Sequence, residues 1–263
     1  MKIYTFQPLS LALKLQKEKV LVAEKELVNP VKTPPCEETQ YDAYIDWLSE
    51  HSWLREPYNW MKDQMLKRIG IPDHLDVENT YPFWGWRSDF SKILINSWDT
   101  YEIIPATERV IIGLEIDKTR ILCSNFEAWE LVIDEFYLDV GTKWKELYRK
   151  IIKTTPLKKE DIDTNKSIKH NLKLHAISPI EKLENYSSGL VKEYKKSWEN
   201  IFDLNFCLKF LKEERTYQKI QATFWELKWD DVIELKIKGG NIKNVITVYN
   251  KNKDDIINFM QGE

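Results

Sequence analysis

Strand-forming segments stand at both ends of this chain, and no other feature constrains its fold so tightly. Residues 3–7 read as a short opening strand. Pro8 ends it, because a proline there cannot donate to a ladder. Leu11, Ala12, Leu13 and Leu15 then give a compact, mostly buried helix that Ser10 can cap, and Val20-Leu21-Val22-Ala23 gives a second short strand. At the far end, residues 219–229, 232–238 and 245–249 read as strands, with Gly239-Gly240 supplying a turn. Strands at both ends must pair somewhere. The economical solution is one α+β domain over residues 1–263, with mixed or antiparallel sheets and a Lys-rich helical insertion at about 139–214.

Between the two ends the pattern alternates. The prolines of residues 29–36 mark a loop, and residues 39–52 and 57–69 carry helical spacing that Gly70-Ile71-Pro72 closes. Residues 81–87 are aromatic and extended, and Pro82 marks a sheet edge or the start of a strand. Residues 109–116 form the clearest strand and 120–123 another; Asn125 caps a helix through about Tyr137. Helices return over residues 181–214.

Charge and composition exclude several classes. The net charge of −3 argues against coating nucleic acid by bulk charge. Residues 141–175 are the exception: ten basic residues face four acidic ones, which suits either a solvated helical face or a nucleic-acid-facing patch. No apolar run of about 18 residues predicts a membrane span, and Met1-Lys2-Ile3-Tyr4 turns polar too soon for a signal peptide, so a cytoplasmic protein is expected. Cys36, Cys123 and Cys207 are scattered, and His51, His74, His170 and His175 show no ligand spacing, so no metal site is expected. With 8 glycines, phosphate-cradling loops are scarce. The 11 tryptophans point to heavy core use or to aromatic-walled surfaces.

Three segments set polar side chains among apolar strand residues: Tyr4-Thr5-Phe6-Gln7, Phe83-Trp84-Gly85-Trp86-Arg87-Ser88-Asp89 and Gln221-Ala222-Thr223-Phe224-Trp225-Glu226. On a strand, Gln221, Thr223 and Trp225 share one face while Ala222, Phe224 and Glu226 share the other. Arg87, after an aromatic strand, could grip a phosphate or ribose in a bidentate fork, or simply pair with Asp89.

The segments Ile3-Tyr4-Thr5-Phe6-Gln7-Pro8, Trp60-Met61-Lys62-Asp63-Gln64-Met65, Tyr81-Pro82-Phe83-Trp84-Gly85-Trp86, Cys123-Ser124-Asn125-Phe126-Glu127-Ala128-Trp129 and Gln221-Ala222-Thr223-Phe224-Trp225-Glu226 resemble an uncharacterised bacterial family, the domain of unknown function 3841. The order of motifs is also similar to the DarT-type ADP-ribosyltransferases, which modify DNA bases using NAD. That resemblance implies an ADP-ribosyltransferase-like fold. It also implies NAD as substrate, with Thr5 and Gln7 near the nicotinamide or its ribose, Arg87, followed by Ser88, at the diphosphate or the adjacent ribose, and Tyr81, Trp84 or Trp86 stacking on the nicotinamide. Gln221 and Thr223 then stand on the catalytic strand, where the family carries a glutamate that stabilises an oxocarbenium-like ribose. Threonine carries no charge, so the resemblance implies either a rearranged site, with Glu226, Glu213 or Glu214 as the candidate carboxylates, or a degenerate site that binds a nucleotide or a partner without catalysis. Glu226 falls on the opposite face of an ideal strand from Thr223, and a bulge between them could bring it round, although nothing in the sequence requires one.

A second reading stays open. Gln7-Pro8 resembles the opening turn of the PUA and ASCH RNA-binding barrels, and Trp84 and Trp86 could stack unpaired bases. A third is a protein-partner-binding module whose exposed tryptophans form an interface.

Overall fold

The structure, a computed structural model, describes residues 1–24, 55–87, 109–138, 176–177, 187–211, 219–238 and 246–249. Ser88, Glu213, Glu214, the proline-rich 29–36 stretch, the helical pattern at 39–52 and the Lys-rich residues 141–175 lie outside them. Contacts divide the chain into two compact units, one of Met1–Ser52, Met61–Cys123 and Ile220–Glu263, the other of Trp53–Trp60 and Ser124–Lys219. Helices accompany antiparallel strand pairs, and the fold is α+β.

In the first unit, β1 (Lys2–Pro8) lies between β4 (Phe83–Arg87) and β5 (Arg109–Glu115), with Tyr4 opposite both Trp86 and Gly113. On the far side of β4 runs β9 (Ile220–Phe224), and on the far side of β5 run β11 (Val232–Lys238) and then β12 (Ile246–Tyr249). With β6 (Leu122–Asn125) at the other edge, the order is β12-β11-β5-β1-β4-β9-β6. The strand segments from the two ends of the chain therefore meet in one sheet.

Alternation decides the burial. Ile3, Phe83, Val110, Ile112, Leu114, Ala222, Phe224 and Leu235 share one core cluster, joined by Ala12 and Leu15 of helix α1 (Leu9–Glu18). Gly85 permits the tightest approach in this sheet: a Cβ there would meet Ile3 Cγ2 at 2.4 Å. Helix α1 starts directly after Pro8, and Ser10 lies inside its first turn without being the cap, because the extended Pro8 already sets the chain for the helix. Lys19, at φ 68°, closes it by donating from its backbone N–H to Leu15 O at 2.8 Å.

A second, three-stranded sheet has the order β10-β2-β3, from β2 (Val20–Glu24), β3 (Thr80–Tyr81) and β10 (Glu226–Lys228). Pro82 explains why it is separate. The β4–β9 ladder runs to Phe83 opposite Phe224, so Pro82 falls opposite Trp225, where it has no N–H to offer. Both strands leave the large sheet there, and both pair with β2, through Ala23 opposite Tyr81 and Glu226 opposite Val22. The sequence pattern over residues 219–229 reads as one strand; the molecule breaks it at Trp225. Pro82 starts β4 but does not mark an edge, since β4 lies between β1 and β9.

The second unit is mainly helical. Asn125 caps helix α3 (Phe126–Ile133), its side chain accepting from Ala128 N at 2.8 Å. The helix stops short of Tyr137, at Asp134, and the chain passes into β7 (Tyr137–Leu138), which pairs with β8 (Ala176–Ile177). Trp198, the last residue of α4 (Ser188–Trp198), packs edge-on against Trp60 and donates from its indole to Phe136 O at 2.8 Å. Trp60 is buried on α2 (Arg55–Ile69), the helix in which the chain passes from this unit to the first, and α5 (Leu204–Leu211) carries the buried Cys207. Among the described tryptophans, Trp60, Trp129, Trp198, Trp225 and Trp229 are buried, so core use accounts for most of them. No helix among the described residues is long and apolar enough to cross a membrane.

Candidate functional site

The three polar segments become three adjacent strands, β1, β4 and β9. Their side chains nevertheless divide between the two faces of the sheet. Tyr4 opposite Trp86, Trp86 opposite Gln221 and Trp84 opposite Thr223 put Tyr4, Trp84, Trp86, Gln221 and Thr223 on one face. Ile3 opposite Arg87 puts Arg87 on the other, with Thr5 and Gln7. A ligand lying on one face reaches Trp84, Trp86, Gln221 and Thr223 but not Thr5, Gln7 or Arg87, and on the other face the reverse.

Several of these groups are also consumed by the sheet. Thr5, fully buried, donates from its hydroxyl to Trp84 O at 2.7 Å and accepts from Gln7 Nε2 at 2.8 Å. Thr223, equally buried, points its hydroxyl at Leu122 O at 3.3 Å. Gln221 is buried, while Trp84, Trp86 and Arg87 are half-buried. Tyr81 belongs to β3 in the smaller sheet, with Lys62 Nζ 5.0 Å from its ring centroid. Burial pushes the Cys123 thiol up, although the Arg87 charge pulls the other way, so this cysteine stays protonated near neutral pH.

Glu226 is placed differently. The break at Trp225 redirects it from the large sheet to the smaller one, where it is 3% exposed and lines a cleft of about 330 Å³. Trp225 fixes the break by donating from its indole N–H to Gly70 O at 2.6 Å. Gly70 ends α2 at φ +70°, a conformation that favours glycine, and its N–H reaches back to Met65 O at 3.1 Å. Ile69, Ile71 and Pro72 make an apolar wall of the cleft; Thr119, Arg120 and Glu226 contribute polar groups.

The Glu226 carboxylate is met by side chains from three segments. Lys228 Nζ lies 2.7 Å from Oε1 and Arg120 Nη2 lies 3.5 Å from it. His74 Nε2 lies 3.0 Å from Oε2. Arg120 is itself held by Asp231, with Nη1 2.9 Å from Oδ2. Arg120 follows a turn that Asp117 organises by accepting from the Thr119 backbone N–H and hydroxyl, both at 2.8 Å. Those two bonds hold the Asp117 carboxyl below its ordinary pKa. The cleft thus joins a buried carboxylate, the Arg120 guanidinium and an apolar wall, while Lys228 and His74 meet the same carboxylate without lining the cleft. Such a set can accept hydroxyls, hold an anionic oxygen and pack a ring face. Local sequence patterns name Glu226 but miss Arg120, Lys228 and His74; His74 is 152 residues away from it along the chain. No group of three or more His, Cys, Asp or Glu side chains suited to a metal ion occurs among the described residues.

The sequence model of a family described as Domain of unknown function (DUF3841) matches residues 2–233, nearly the whole chain. No curated protein matches the chain, and no solved structure does.

Proposed function

The chain belongs to the DUF3841 family, and from that premise we propose that it is an ADP-ribosyltransferase-like protein that binds NAD with the Glu226 cleft as its centre. The supporting observation is the position of Glu226: a buried carboxylate turned into a cleft beside Arg120, where Thr223 cannot provide one. In this reading Glu226 accepts from the ribose hydroxyls, and its charge gains value as the ribosyl carbon becomes cationic. Nicotinamide leaves with the electron pair of its glycosidic bond. An acceptor nucleophile, with nucleic acid as the candidate class, bonds to the ribosyl carbon and gives up a proton. Arg120 takes a phosphate oxygen, the role that the sequence alone suggested for Arg87. The Ile69, Ile71 and Pro72 wall takes the apolar face of a ring.

Calorimetry with NAD on wild type, Arg120→Ala and Arg87→Ala tests this, with nicotinamide release followed in the same samples. The expected result is binding by wild type and Arg87→Ala, a loss of about tenfold or more in Arg120→Ala, and slow nicotinamide release. Failure of wild type to bind NAD contradicts the reading.

A further inference from the structure

We infer that Glu226 Oε2 is the anchoring point for a vicinal hydroxyl pair of a sugar, and that His74 is a latch that such a ligand replaces. The inference deepens the proposed reading and rests on the cleft being a ligand site.

The two carboxylate oxygens are held unequally. Oε1 faces Lys228 and Arg120, whose side chains are about one-third exposed. Lys228 sits two residues along the same short strand, and Arg120 is tied again to Asp231. Neither leaves without breaking other structure. Oε2 faces His74, whose side chain is 60% exposed. His74 belongs to no helix or strand; it sits in a turn segment bounded by Pro72 and Asn79, closed by Leu75 N to Pro72 O at 2.9 Å and Asn79 N to Asp76 O at 3.2 Å. A hydrogen-bonding partner that stands mostly in water contributes little and is easily exchanged.

The chemistry of the replacement follows from the acceptor. A carboxylate accepts hydrogen bonds and donates none, so the incoming group must bring donors. Two adjacent hydroxyls meet a carboxylate without adding charge. A second anion would meet repulsion at Glu226, and a lone ammonium would duplicate Lys228. The apolar wall across the cleft suits the C–H face of a sugar ring.

The test uses the full-length protein with two probes, NAD and D-ribose, and reads the imidazole signals of His74 by NMR, assigned with His74→Ala. Saturating either probe is expected to shift the His74 signals. His74→Ala is expected to bind NAD as tightly as wild type or up to about fivefold more tightly, because the competing contact is gone. If D-ribose moves His74 and NAD does not bind, the NAD reading fails while the hydroxyl-pair anchor stands. The inference is overturned if NAD binds with the His74 signals unmoved, if neither probe moves them, or if His74→Ala weakens binding and His74→Asn restores it. That last result would make His74 part of the binding surface.

Discussion

Thr5 and Glu226 are both polar and both nearly completely buried, yet they belong to different kinds of surroundings. Thr5 answers to its own sheet: its hydroxyl donates to the Trp84 backbone carbonyl of β4 and accepts from the Gln7 side-chain amide on its own strand. Glu226 answers to side chains from three separate segments, one of them mostly in solvent. A polar group satisfied by a sheet is part of the sheet, and exchanging its partner costs structure. A carboxylate satisfied by partly hydrated side chains can trade one of them for a ligand. The seven-stranded sheet is scaffold, and the proposed reading puts the chemistry in the cleft.

Substitutions in the sheet should cost stability and leave the cleft intact. Ile112 is fully buried, and Ile112→Ala should lose about 2–5 kcal/mol of unfolding free energy, measured by urea denaturation, with ligand affinity kept in the folded fraction. A smaller loss combined with loss of binding would blur the distinction. Trp225→Phe lies on the border of the two regions. It removes the indole N–H and leaves Gly70 O without that bond, so about 1–3 kcal/mol of stability should go, together with affinity, because Glu226 follows immediately.

Glu226→Gln should be milder for folding, at about 1–2 kcal/mol, because Arg120 and Lys228 are about one-third exposed and can rehydrate. The smallest effect concerns the turn that presents Arg120. The Asp117 carboxyl has its folded pKa below its unfolded one, so the stability it adds is present above the unfolded pKa and is lost as pH falls through the lowered folded value. The Thr119 amide resonance should report that loosening on acidification, and Asp117→Asn should abolish the pH dependence while leaving the sheet resonances unchanged.

Much of the scaffold was legible because its signals are local. The alternation of Val110, Ile112 and Leu114 marks β5, Asn125 marks the start of α3, and Gly70 marks the end of α2. The candidate site was only partly legible. Glu226 could be named, but the sequence held no sign that the strand breaks before it. The cause of that interruption is Pro82, which stands opposite Trp225 only once the register of β4 and β9 is known. Arg87 resembled an anion holder because it follows an aromatic strand, but its face depends on that same register. His74, Arg120 and Lys228 converge through tertiary folding, which no spacing in the chain encodes.

The central claim is that the working carboxylate is Glu226 in the cleft and that Thr223 on the large sheet plays no part in binding. Titrating NAD into Thr223→Val and Glu226→Gln side by side by calorimetry tests it most directly. The account predicts wild-type affinity for Thr223→Val and a loss of about tenfold or more for Glu226→Gln. Binding that survives in Glu226→Gln and disappears in a folded Thr223→Val would contradict it.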